Sequence, residues 1–312
     1  MSSHVFGPVP SRRFGRSLGV NPVPFKTCNY SCIYCQLGKT SPLSIERKEY
    51  IGVSEIAEAV REAVDRAPGR IDFITFMGEG EPTLASNLGR MAREVRSFWD
   101  GRLALITNGS LFFLPEVRDA AGWFDIVSPT LSSGDEATYR WLHRPHRDCS
   151  LEKMVEGLRT FSKRFEGEIW IEVMLVRGVN DSPSSLEAIG GLIKGLRADR
   201  VYINTPIRPP SEQGVEPPRT GSLKEALRII EGAIDLSSSE SVEIPDTEDP
   251  ESQLLAIAAN HPLREDQAVL MLQSMVPPHE AIEVLARLVA EGRLERTRHT
   301  DIVFYRAHRG GD

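Results

Sequence analysis

What most restricts this chain is an alternation, along roughly its first 250 residues, of short β-branched apolar runs with stretches of helical periodicity. Strand-like runs stand at 18–23, 71–77, 103–107, 124–129, 169–176 and 200–204. Helical stretches follow at 54–67, 87–99, 115–121, 151–165, 184–196 and 222–234, with Ser54 and Ser184 placed as N-caps. Continuous apolar runs of this kind mark strands that helices cover on both faces. Six strands alternating with helices predict an α/β fold whose parallel sheet is built from right-handed crossovers. In such sheets ligands gather at the carboxyl ends of the strands. The unusual residues fall there: 78–83 after one strand, 108–110 after the next and 205–210 after the last.

Residues 237–250, rich in Ser, Glu, Asp and Pro, read as a linker. Beyond it come helical patterns at 251–260, 264–274 and 278–291, a stop at Gly292, and strand-like runs at 294–296 and 302–306. Three helices and a terminal hairpin resemble a winged helix-turn-helix. The expected organisation is a large unit over 1–235, a linker over 236–250 and a winged-helix-like module over 251–312. Its wing would offer Arg293, Arg296, Arg298, His299, Arg306 and Arg309. Its third helix sets Glu280, Glu283 and Glu291 against Arg287. Carboxylates facing phosphates repel, so packing, protein interaction or substrate docking suits this module better than reading DNA.

The chemistry is signalled by cysteine. The chain has four cysteines, and three of them, Cys28, Cys32 and Cys35, form a C-x3-C-x2-C loop. The N-terminus lacks the apolar run of a signal peptide, and no stretch reaches the ~18 apolar residues of a membrane span. A cytoplasmic chain with no membrane association is expected, and there thiols stay reduced. The balance of 37 basic and 44 acidic residues, net −7, argues against a protein that coats nucleic acid. Clustered thiolates are soft ligands for iron–sulfur clusters or zinc. Three of them can hold three corners of a cubane and leave one iron open. Zinc, with His4 or Cys149 as fourth ligand, is the alternative, although structural zinc usually takes paired C-x2-C ligands.

The loop reads Thr27-Cys28-Asn29-Tyr30-Ser31-Cys32-Ile33-Tyr34-Cys35, and here the sequence resembles the radical SAM superfamily over roughly residues 1–235. The resemblance implies a partial (βα)6 TIM-like barrel and two cofactors, a [4Fe–4S] cluster on Cys28, Cys32 and Cys35 and S-adenosyl-L-methionine (SAM). It implies an oxidoreductase or transferase that cleaves SAM reductively to a 5′-deoxyadenosyl radical. Tyr34 would pack near the adenine, and Gly78, Glu79, Gly80 and Glu81 would meet the methionine amino group. Asn108, Glu172, Arg177 and Asn204 complete the expected cofactor contacts. A reducing partner such as flavodoxin or ferredoxin would supply the electron. The substrate could be tRNA or a small molecule. An iron–sulfur- or SAM-dependent regulator that binds DNA through the C-terminal module is the competing function.

Within the superfamily, residues 78–84, 131–145 and 203–210 resemble the branch that includes the wyosine-forming tRNA radical enzyme. That family holds a second cluster on upstream cysteines, whereas here no cysteine precedes Cys28. The chain thus looks like a one-cluster relative with another substrate. Cys149 is a candidate hydrogen-atom donor or an ordinary loop cysteine. His143 and His146 are candidate acid–base groups or polar loop residues. Arg144 and Arg147 could hold an anion or form a solvated charge run. Arg12, Arg13 and Arg16, around Phe14, could grip phosphate or close the barrel's edge with salt bridges.

Overall fold

The computed structural model describes residues 4–67, 69, 71–236, 249–273 and 276–307. The linker expected at 236–250 lies outside the described residues from 237 to 248, as does Arg309.

An eight-stranded sheet runs in strict chain order: β1 (Val5–Ser11), β2 (Gly15–Val20), β3 (Phe73–Phe76), β4 (Arg102–Thr107), β5 (Ile126–Pro129), β6 (Glu168–Met174), β7 (Arg200–Asn204) and β8 (Ala233–Asp235). Strands β2 to β8 pair in parallel, and β1 pairs antiparallel with β2. The six expected strands are β2 to β7. Two edge strands join them: β1, whose glycine and two prolines hide its pattern, and the three-residue β8.

Helices α1 (Val53–Arg66), α2 (Leu88–Arg96), α3 (Pro115–Ala121), α4 (Glu136–His143), α5 (Leu151–Ser162), α6 (Pro183–Lys194) and α7 (Thr220–Ile229) connect the strands. Helix α4 was not signalled by periodicity; Asp135 starts it by accepting a hydrogen bond from Thr138 N. The expected caps shift by two residues. Gly52, not Ser54, precedes α1, and Ser182, not Ser184, caps α6 by accepting from Ser185 N. The helix expected over 222–234 stops at Ile229, because Gly232 turns the chain at φ +72° into β8.

The period-two alternation of the strands separates two layers. Leu18, Ile74, Phe76, Leu103, Leu105, Val127, Ile171, Val173 and Ile203 share one core with the helices, including Ile56, Met91, Leu158 and Ile189. The opposite faces of the same strands supply Ala104, Ile126, Trp170 and Tyr202, which with Phe14 of the turn before β2 form a second cluster inside the curved sheet. Phe14 stacks on Trp170 with centroids 5.2 Å apart, near the amino ends of the strands. This layer fills the lower interior and leaves polar residues toward the carboxyl ends.

The C-terminal residues form α8 (Pro250–Asn260), α9 (Glu265–Leu272), α10 (Pro278–Ala290) and a three-stranded antiparallel sheet of β9 (Leu263–Arg264), β10 (Leu294–His299) and β11 (Ile302–Ala307). The two-residue β9 was not expected. These elements bury their own cluster, including Leu254, Met271, Leu285, Leu288, Leu294 and Tyr305, with Val9 of β1 packed at its border.

Candidate active site

The cysteines sit where the parallel sheet exposes its carboxyl ends. After β2 the chain crosses that mouth, pinned by hydrogen bonds on both flanks. On one flank Lys26 N donates to Glu79 O (2.6 Å) and Glu81 N donates to Thr27 O (2.9 Å). This contact explains the glycines between β3 and residue 82. A Cβ on Gly80 would lie 2.0 Å from Thr27 O, and one on Gly78, at φ +125°, 1.7 Å from Asn21 Oδ1. Only glycine lets these loops approach so closely.

On the other flank, residues 142–146 run along the cysteine loop like a short strand. Ser31 N donates to His143 O (3.0 Å), Ile33 N to Leu142 O (3.0 Å) and His146 N to Asn29 O (2.8 Å). Arg144, in the left-handed conformation at the end of α4, redirects the chain to make this possible. Ser211 Oγ donates to Cys32 O and Ile33 O, both at 2.9 Å. The loop's backbone is therefore held independently of any metal.

Two of the thiols, Cys28 and Cys32, have their proton affinity raised. Burial, then neighbouring Glu81, pushes Cys28 up to about 12, and burial, then Cys35 and Cys28, raises Cys32 well above the usual thiol range. A bound Lewis acid would favour the thiolate form at Cys28 and Cys32 against this burial. Among the described residues no three His, Cys, Asp or Glu side chains converge on one metal ion. His4 hydrogen-bonds Glu55 Oε1 at 2.8 Å, and Cys149 is buried against Asn29, so neither closes a tetrahedral zinc site. Three soft donors on one loop are the donor set that an iron–sulfur cluster takes.

Among the expected cofactor residues, Glu81 is the most constrained. Its Oε1 accepts from Thr83 N (3.1 Å), Thr83 Oγ1 (2.6 Å) and Thr107 Oγ1 (2.5 Å), and its Oε2 accepts from Asn108 N (2.7 Å). Burial raises its carboxyl, opposed by these hydrogen bonds. Four donors nearly exhaust a carboxylate, so Glu81 ties the β3 loop to the β4 loop. Asn108 continues the tie: its Nδ2 donates to Asn29 Oδ1 at 2.7 Å and lies 4.0 Å from Cys28 Sγ. Asn29, not singled out from the sequence, donates to Ser110 Oγ at 2.6 Å and lies 3.6 Å from Cys149 Sγ. Burial pushes Cys149 up to about 11.

Glu172 and Asn204 face the same interior but contact arginines from the turn between β1 and β2. Arg13 pairs with Glu172 Oε2 at 2.8 Å, both side chains 12% exposed, and donates to Ser128 Oγ. Arg12 donates to Asn204 Oδ1 and Leu236 O, and Arg16 pairs with Asp72 at 3.2 Å. Arg13 and Arg16 carry the salt-bridge reading, and Arg12 ties the ends of β7 and β8 by hydrogen bonds. Arg177 pairs with exposed Glu216 and donates to Pro217 O. It closes a rim loop, and no contact shown joins it to the cysteines.

Tyr34 Oη lies 3.2 Å from His143 Nδ1, and that nitrogen lies 3.4 Å from Cys32 Sγ. His143 is buried among Tyr30, Tyr34 and Tyr139, and burial pulls it down to about 3. A neutral histidine at pH 7 is a poor general acid. His146 lies beside Asp148 (3.5 Å). Arg144 and Lys39 share Glu212, at 2.5 and 3.0 Å, whereas Arg147 stands 89% exposed.

The C-terminal elements reach this loop. Gln36 Nε2, next to Cys35, donates to Asn260 O at 3.1 Å and lies 3.1 Å from His261 Nδ1. Arg306 donates to Gln36 O, buried Arg208 to Pro262 O (3.2 Å), and His299 Nε2 lies 3.1 Å from Pro206 O. No periodicity in the sequence could have signalled these pairings.

Residues 23–187 match the sequence model of the Radical SAM superfamily, which takes in the cysteine loop and strands β3 to β6. A UPF0026 protein of Methanocaldococcus jannaschii is 36% identical over 307 residues, covering 96% of this chain and 94% of that protein. A UPF0026 protein of Helicobacter pylori is 35% identical, covering 88% and 90%. A crystallised radical SAM methyltransferase from Sphaerobacter thermophilus shares the fold at a TM-score of 0.54 and 20% identity, over 70% of this chain and 65% of that one. The match is to the superfamily as a whole and does not single out the wyosine branch.

Proposed function

The chain belongs to the radical SAM superfamily, and on that premise we propose that it is a one-cluster enzyme acting on a substrate held over the mouth of the barrel. Members of this superfamily use a [4Fe–4S] cluster and SAM. Cys28, Cys32 and Cys35 would hold the cluster, leaving one iron for the methionine end of SAM. When bound, the cluster supplies the electron that cleaves SAM to methionine and a 5′-deoxyadenosyl radical. The observation that carries this reading is three thiols on one loop at the carboxyl ends of a parallel sheet, braced on both flanks by backbone hydrogen bonds.

The protein's own residues divide the remaining work. Gly78 and Gly80 let the loop carrying Glu79 approach the cysteines, where it would meet the methionine ammonium. Glu81, through Thr107 and Asn108, keeps that loop in register with β4. Tyr34 and His143 wall the Cys32 side and exclude water from it. Glu172 and Asn204, held by Arg13 and Arg12, set polar groups inside the barrel where the nucleoside would lie. We read residues 1–235 as the catalytic unit and 251–312 as a winged-helix-like module that forms one wall of the site. The reaction on the second substrate is an oxidoreduction or a group transfer, with flavodoxin or ferredoxin as electron source.

Anaerobic reconstitution with iron and sulfide, reduction with dithionite and addition of SAM should yield 5′-deoxyadenosine. Cys32→Ala should lose the cluster's absorbance and the product together. A verified cubane that yields no 5′-deoxyadenosine would sink catalysis. The contacts of Asn260, His261 and Arg306 with Gln36 keep one competing reading in view, a cluster-dependent DNA regulator. It requires DNA affinity that changes with cluster content. The exposed carboxylates Glu280 and Glu283 on α10 oppose it.

A further inference from the structure

Lys26 is one of the described non-glycine residues at positive φ, +58°, two positions before the first cysteine. A lysine gains nothing locally from that conformation. The surroundings impose it: Lys26 N donates to Glu79 O and Thr27 N donates to Pro24 O, so the turn is closed on both sides. Its consequence is the placement of the side chain. Nζ returns across the loop, donates to Gly38 O at 2.6 Å and lies 3.4 Å from Cys35 Sγ. A loop staple would need only the first contact. The second sets an ammonium group beside a sulfur that the proposed function makes a cluster ligand.

We propose that Lys26 is a positioning residue that raises the reduction potential of the cluster through Cys35. The inference rests on the cluster reading above. Adding one electron makes the cluster more negative and breaks no bond. A cation beside one ligating sulfur stabilises the reduced state over the oxidised one, and hydrogen bonds to cluster sulfurs act in the same direction. On Cys32, neutral His143 can supply a hydrogen bond. Lys26 brings a cationic group into contact with Cys35 Sγ. Its replacement therefore changes charge as well as hydrogen bonding.

The test is an EPR-monitored redox titration of the full-length reconstituted protein, without SAM, comparing wild type with Lys26→Gln and Lys26→Arg. Iron and sulfide contents are measured on each sample. At the wild-type midpoint, Lys26→Gln should show a reduced-to-oxidised ratio about tenfold lower, a shift of ~59 mV for a one-electron couple. Lys26→Arg should restore most of the ratio. Unchanged potentials in Lys26→Gln with a full cluster would overturn the inference and leave the cluster reading intact. Equal shifts in Lys26→Gln and Lys26→Arg would overturn it too, since charge would then not be the cause. Wild-type protein that takes up no cubane would instead defeat the proposed function. If Lys26→Gln alone fails to hold iron, Lys26→Met and a titration of Gly38→Ala decide. Gly38 lies in open space at φ +87°, so its variant disturbs the staple while the charge stays. A Gly38→Ala potential that falls as far as that of Lys26→Met would assign the effect to the loop and refute the charge.

Discussion

Replacing Glu81 by glutamine separates two roles for the β3 loop. In the structure this carboxylate is 2% exposed and accepts from Thr83 N, Thr83 Oγ1, Thr107 Oγ1 and Asn108 N. An amide can leave its oxygen with the three donors at Oε1, but then its NH2 faces Asn108 N–H. The charge-assisted bond there, worth about 1.5–3 kcal/mol, is lost, and the orphaned N–H costs about 1–3 kcal/mol more. Removing a buried charge returns part of this, because burial is the largest influence on Glu81. A net loss of about 2 kcal/mol is expected at pH 7. Urea unfolding of metal-free protein, followed by tryptophan fluorescence, should show the midpoint lowered by roughly 0.7 M at a slope of roughly 3 kcal/mol/M. The sign with pH is also set. A carboxyl raised in the folded state contributes stability that is present below its unfolded pKa and lost as pH rises through the folded value. The wild type, but not Glu81→Gln, carries this loss, so the gap between them should narrow as pH climbs above about 4.3. An unchanged urea midpoint together with SAM affinity at least tenfold weaker would refute the structural role and give Glu81 to the ligand.

The other expectations concern different parts of the same scaffold. Gly80→Ala should place its Cβ against Thr27 O, cost about 1–3 kcal/mol as overpacking, and lower iron content per chain while the far-ultraviolet spectrum is kept. Arg13→Met should leave half-buried Glu172 without its ion-pair partner, with Asn204 Nδ2 still donating to it, and destabilise by about 1–3 kcal/mol. Adding Glu172→Met should recover much of this in thermal unfolding, and a double variant no better than the single one would deny the pair. Asp135→Ala should remove the N-cap of α4 and cost about 1 kcal/mol at pH 7. Hydrogen bonds from Thr138 hold the Asp135 carboxyl low, so its contribution is present above about pH 3.9 and fades as pH falls through the folded value. The variant and wild type should then differ in Tm at pH 7 and converge near pH 2.

The strands that sequence reading found are those whose outer faces bury Leu, Ile and Val continuously, such as β4 and β6. Those it missed lack that signal. β1 carries Gly7, Pro8 and Pro10, and β8 has three residues behind Gly232. Helix α4 escaped for a related reason: Glu136–His143 is two turns long and is started by a cap rather than by an apolar stripe. The cysteine spacing pointed to the site because soft ligands within eight residues need a common partner. The fates of Glu81, Glu172 and Arg177 were not legible, since each is decided by a residue far away in the chain: Thr107, Arg13 and Glu216.

By itself the sequence determined the parallel α/β class, the place of the cysteines after the first parallel strand, and the clustering that makes them a candidate ligand set. Those follow from local periodicity and short spacing, which act within one element. Tertiary structure alone decided that residues 142–146 brace the loop, that Lys26 turns back onto Cys35, and that Asn260 and Arg306 lock Gln36. The reason is physical: backbone donors and single charges carry no periodic signal, and their partners are chosen by the fold that brings distant segments within 3 to 4 Å.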